Sequence, residues 1–134
     1  MSRKPSIFRQ FVTGYMTAAL WSSSDTIPGD EGGQPVELED FEWGDGEPLK
    51  RARECAAFFR QARPLLDQYA ERRRVPYGES VWAWAGHDFW LTRCGHGVGF
   101  WDRGLGELGD QLTALCKEHG EINLYLGDDE KVYS

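Results

Sequence analysis

The chain has 134 residues, 40% of them hydrophobic, with six Trp and a formal net charge of −7. That length fits one domain and hardly allows two, no apolar run approaches the ~20 residues of a membrane-crossing helix, and the acidity opposes non-specific nucleic-acid binding. Cys55, Cys94 and Cys116 form no CxxC pair, which argues against a zinc ribbon or a thioredoxin-type redox site.

The segment after Arg3 and Lys4 is amphipathic and lacks a small-residue cleavage site, so no signal peptide is expected and the cytoplasm is the expected compartment. Ser6 can cap a first helix over residues 7–21, in which Ile7, Phe11, Tyr15, Ala18 and Ala19 recur at helical steps. Gly14 costs that helix about 1 kcal/mol relative to Ala, and a close approach by another element would account for it.

Residues 22–46 read as a long acidic loop, either mobile or functional. Residues 22–47 carry nine acids (Asp25, Asp30, Glu31, Glu37, Glu39, Asp40, Glu42, Asp45, Glu47) and no base. Within this stretch Val36, Leu38, Phe41 and Trp43 suit a short extended cover on the core. Asp45 or Gly46 can sit at the N-terminus of a second helix, with Glu47 and Pro48 in its first turn, where a missing N–H costs nothing. Its stripe is Leu49, Ala52, Cys55, Phe59, Ala62, Leu66 and Tyr69, with Pro64 expected to kink or split it. Eight bases against three acids fall in 48–74. They include Arg60, Arg63, Arg72, Arg73 and Arg74, the last three at the helix end that favours cations.

Residues 80–84 fit a helix or a strand. From 87 to 93 the chain reads as a strand, 94–97 as a turn and 98–101 as the return strand. A third helix is expected over about 106–119, with Gly120 beyond its end, and then a hairpin of 122–126 with 131–133. The expected fold is one α+β domain, with an antiparallel sheet of two hairpins packed with about three helices. Cys55 and Cys116 fall on apolar helix faces and are expected as buried thiols.

The densest chemistry lies in 86–104: His87, Asp88, Trp90, Arg93, His96, Trp101, Asp102 and Arg103. Across a hairpin such residues would meet on one face, with His87 or His96 as general base, Asp88 or Asp102 as orienting carboxylate and Cys94 as nucleophile. A scaffold role fits the same residues. On that view the imidazoles and indoles support paired ribbons, and a continuous helix in their place would tip the balance toward chemistry. No nucleophile elbow, HExxH, P-loop or GxGxxG after a strand is present, and no metal or cofactor is expected. The arginines of 60–74 are an exposed face, a phosphate contact or a site for an acidic partner. Asp30, Glu31, Glu37, Glu39 and Asp40 instead suit an imitation of phosphate spacing that competes for a basic groove.

The run Gly86-His87-Asp88-Phe89-Trp90-Leu91-Thr92-Arg93, continuing through Gly95-His96-Gly97-Val98-Gly99-Phe100-Trp101-Asp102-Arg103-Gly104, resembles the signature of a family of small bacteriophage and prophage proteins. The likeness extends to Leu124–Asp129 and, more loosely, to Ala19–Ser23, about two thirds of the chain. The stretch between Asp25 and Asp45 departs from it by its length. The resemblance carries over no catalytic residue. It implies a non-enzymatic accessory protein with a protein partner in the host cytoplasm, such as an inhibitor of a restriction or CRISPR complex, with direct nucleic-acid binding and membrane association not expected.

Overall fold

A computed structural model describes residues 5–30 and 32–134. It is mostly helical, with four α-helices and two small antiparallel two-stranded sheets, an α+β arrangement in broad terms.

Helix α1 spans Ile7–Trp21 and is capped by Ser6, whose hydroxyl accepts from the Arg9 N–H at 3.1 Å. Strand β1, Ser24–Asp25, pairs antiparallel with β2, Val36–Glu37. A 3-10 turn over Leu38–Asp40 follows, and its Leu38 is fully buried. Val36, Phe41 and Trp43 pack half-buried against the same core, so this acidic stretch does cover it.

Helix α2, Glu47–Arg72, is about 39 Å long at 1.5 Å per residue. It continues through the exposed Pro64 as one helix, so of the kink or split expected there the split does not occur. The proline removes one N–H from the ladder, while Ala62, Leu66 and Tyr69 remain buried on either side and hold the helix to the core.

The largest departure lies between 81 and 101. The expected strand at 87–93 is helix α3, Val81–Arg93, and its expected partner at 98–101 is a loop and a 3-10 turn at Phe100–Asp102. Ser80 starts α3 by accepting from the Ala83 N–H at 3.1 Å. Its residues from Ala85 to Arg93, His87 apart, are all buried. A helix enclosed on nearly every face shows no single apolar stripe, so a short run of large side chains imitates a strand.

Enclosure comes mainly from α1. Gln10 beside Ser80 and Ser22 beside Trp90 show that α1 and α3 run side by side in the same direction. A Cβ on Gly14 would overlap the Ala83 carbonyl, and one on Gly86 would overlap that of Phe11. Two glycines thus let two backbones touch, which is why α1 tolerates Gly14.

Helix α4, Glu107–Glu118, lies in its expected place, and the hairpin of β3, Tyr125–Leu126, with β4, Val132–Tyr133, forms there but is shorter than expected, since 122–124 are not in a strand. Trp43 adds a parallel bridge to Val132. Phe11, Tyr15, Phe58, Phe89 and Phe100 centre the core, with Phe58 and Phe89 stacked at 4.0 Å and 9°. Cys55 and Cys116 are buried there as free thiols. Among the described residues no helix is long and apolar enough to cross a membrane.

Candidate functional site

Because 87–93 is helical, the polar side chains of that segment do not share a face. Successive residues of a helix diverge by about 100°, and these go to separate places.

Asp88 points inward and is fully buried. Arg103 closes on it, with NH2 2.6 Å and Nε 3.1 Å from Oδ1, and the Tyr69 hydroxyl donates to Oδ2 at 2.7 Å. Burial pushes the Tyr69 phenol up, and the Asp88 charge and hydrogen bond push it further. Asp88 is thus held by α2 and by the turn before α4. No hydrogen bond joins it to His87.

Arg93, buried at the other end of α3, donates to the carbonyls of His119 at 2.7 Å and Gly120 at 2.8 Å. It therefore caps the C-terminus of α4, where a cation is favoured. Its NH1 also reaches the Tyr15 hydroxyl at 2.9 Å and Glu54 at 3.2 Å. Glu54 continues to Arg51 at 2.9 Å, and Arg51 to Glu47 at 3.8 Å. This line of charges ties α1, α2, α3 and α4 together. The sequence reading missed Glu47, Arg51 and Glu54 as partners, although their three- and four-residue spacing on α2 is the signal for it. Trp90 is buried and donates its indole N–H to Ser22 at 2.7 Å.

His87 lies half-buried between Trp21, 5.7 Å away, and Trp84, 5.1 Å away. It lines a cleft of about 280 Å³ with Thr13, Thr17, Glu79 and Trp84. Burial lowers its pKa, the neighbouring Asp88 opposes this, and the Arg103 and Arg73 charges reinforce it. Its Nδ1 is enclosed without a hydrogen-bond partner. His96, in the expected turn, sits exposed between Gly95 and Gly97, which both take positive φ. Trp101 and Asp102 are exposed on the 3-10 turn. Cys94 is half-buried, its thiol pushed up by burial, and it donates to the Ile122 carbonyl at 3.6 Å. A raised thiol is a poor nucleophile at neutral pH. Cys94 and His96 line one hollow, but Asp88 and Asp102 lie elsewhere, so the expected trio of base, carboxylate and nucleophile is not assembled. The helix removes the ribbon argument for a scaffold role, and the buried partners of Asp88, Trp90 and Arg93 supply a different one.

The basic residues of α2 are largely engaged. Arg63 pairs with Asp67 at 2.9 Å and lies over the Phe59 and Trp82 rings. Arg72 donates to the Leu105 carbonyl at 3.0 Å. Arg73 stacks on Trp84 at 5.2 Å and donates to the Arg74 carbonyl. Arg60 and Arg74 are exposed.

The acidic segment differs. Six ion pairs join described residues, and none involves Asp30, Glu37, Glu39, Asp40, Glu42 or Asp45. The Glu39 carboxyl is raised, first by the neighbouring Glu37 side chain, then by desolvation and by the charges of Glu37 and Asp40. Asp25 is spent on structure, accepting from the Leu126 N–H at 2.8 Å. Glu31 lies outside the described residues.

No protein-family model, curated protein or solved structure matches the chain. Among the described residues no three His, Cys, Asp or Glu side chains gather as a metal would need.

Proposed function

We propose that the chain is a phage-type accessory protein that acts by binding a protein in the host cytoplasm. Its working face is the acidic one, offered to a basic surface of a host nucleic-acid-processing or defence complex in competition with nucleic acid. The observation that supports this reading is the asymmetry of charge pairing. Arg51, Arg63 and Arg72 of α2 and Arg73 just after it are occupied by carboxylates, a carbonyl and rings, with Arg53, Arg60 and Arg74 left exposed, whereas Glu37, Glu39 and Asp40 all stand crowded and without ion-pair partners among the described residues. Crowded like charges cost the folded chain free energy, and a basic partner removes that cost on contact.

The test is capture of partners from a bacterial lysate on the immobilised protein, at low and at moderate salt. A specific protein is expected at low salt, weakened at moderate salt and lost when Glu37→Gln, Glu39→Gln and Asp40→Asn are combined. Capture of nothing, or capture indifferent to that variant, contradicts the proposal.

A further inference from the structure

Three exposed apolar side chains line two adjoining hollows. Trp21, Val98 and Trp101 are 54%, 38% and 48% exposed. They are brought together by the end of α1, the loop after α3 and the turn before α4. A hollow of about 320 Å³ is walled by Trp21, Glu37, Leu91, His96 and Val98. A second, of about 550 Å³, is walled by Leu91, His96, Val98, Trp101 and Lys117, whose cation confines the acidic character to the Trp21 half. The two share Leu91, His96 and Val98, so they are halves of one groove with those residues as its saddle. Apolar surface gathered in this way, rimmed by polar groups, is the kind that proteins keep for contacts, and aromatic walls suit a buried anchor side chain.

The charge at the rim decides what fits. Glu37 walls the Trp21 half of the groove, and Glu39 and Asp40 follow it on the same segment with no ion pair among the described residues. Glu121 edges a smaller hollow on the other side of His96. An anchor residue entering beside Trp21 therefore arrives next to the Glu37 carboxylate, and its neighbours in the partner chain gain most as Arg or Lys.

We propose that this groove docks a basic amphipathic protein segment, which inserts an apolar or aromatic side chain between Trp21 and Val98 and sets Arg or Lys against Glu37. The inference rests on the binding role proposed above and specifies the partner: a protein segment with an apolar anchor, recognised by shape as well as by charge.

The test is a nuclear magnetic resonance titration of the full chain with short synthetic peptides. One carries a Leu-Trp anchor between Arg and Lys residues, one has the same flanks with Ala in place of the anchor, and one has the same anchor between Glu residues. The first alone is expected to shift the amides of Trp21, Leu91, His96 and Val98. Val98→Asp and, separately, Trp21→Ala are expected to weaken it about tenfold, a loss of about 1.4 kcal/mol, with unchanged circular dichroism. Equal binding of the acidic peptide, equal binding of the Ala peptide, or shifts confined to another face would overturn the proposal. So would self-association abolished by Val98→Asp, which gives the groove to a second copy. Lysate capture that depends on Glu39 and Asp40, with no peptide response in the groove, sinks this inference and leaves the acidic-face reading standing. A groove response without lysate capture does the reverse.

Discussion

Arg103 grips Asp88 with two nitrogens of its fork, NH2 at 2.6 Å and Nε at 3.1 Å from the same oxygen, while Trp84 lies against the guanidinium at 5.8 Å. The pair sits where a catalytic carboxylate was expected, yet every contact of Asp88 noted above is internal. A buried pair of this kind is costly to break from one side, because the remaining charge is left without its partner.

Asp88→Ala is accordingly expected to destabilise the fold by about 3–5 kcal/mol, the range for removing one member of a buried ion pair. Asp88→Ala combined with Arg103→Met should cost less than Asp88→Ala alone, since no unpaired cation remains. Urea unfolding of the two variants checks the order, and a double variant less stable than the single one contradicts it.

Gly14→Ala should lower stability although alanine is the better helix former by about 1 kcal/mol. The new methyl must push the Ala83 carbonyl away, and overpacking of this sort costs about 1–3 kcal/mol. Gly86→Ala meets the Phe11 carbonyl in the same way. Thermal melts that show either variant at or above the wild-type midpoint contradict direct contact of the two backbones.

The pH dependence follows from His87. Burial keeps the imidazole neutral in the folded chain, with its pKa lowered, whereas the unfolded chain takes up that proton near pH 6.5. Below about pH 6.5 the unfolded state therefore binds more protons, and stability falls with pH until the folded-state value is passed. His119, lowered chiefly by burial and then by Arg93, adds to the same slope. His87→Phe should flatten the loss of stability between about pH 7 and 5.5, where an ordinary histidine titrates. An unchanged slope in chemical denaturation across that range contradicts the assignment.

Arg93→Lys tests the cap on α4. A lysine keeps the charge but has no planar fork to reach the His119 and Gly120 carbonyls together with Tyr15 and Glu54. The expected loss is about 2–3 kcal/mol, the cost of leaving hydrogen-bonded groups unsatisfied in the interior. Amide exchange at the C-terminal turn of α4 should accelerate ahead of global unfolding. Protection equal to wild type there contradicts the capping role.

The parts legible in the sequence are those where one face of an element meets water. Helices α1, α2 and α4 carry a stripe against a polar back, together with Ser6, Pro48 and Gly120 at their ends, so period and caps agree. Helix α3 carries neither stripe nor back, because α1 and the core surround it, and Phe89-Trp90-Leu91 reads equally well as a strand. Ser80 was the available signal, a capping serine three residues before Ala83. The candidate site suffered for the same reason. A hairpin would have gathered His87, Asp88 and Asp102, whereas a helix turns His87 outward and Asp88 inward. Charge segregation was visible throughout, since it depends on composition along the chain. Which arginines are occupied and which carboxylates are left without partners depends on contacts between distant residues such as Arg72 and Leu105.

In the binding role proposed above, the carboxylates of Glu37, Glu39 and Asp40 carry the contact. Once a captured partner is purified, its dissociation constant measured against salt concentration, for the wild type and for the Glu37→Gln, Glu39→Gln, Asp40→Asn variant, tests this most directly. A steep loss of affinity with salt is expected for the wild type, a distinctly shallower dependence for the variant, and displacement of the wild type by nucleic acid. Identical salt dependence in the two proteins, with no effect of nucleic acid, would contradict it.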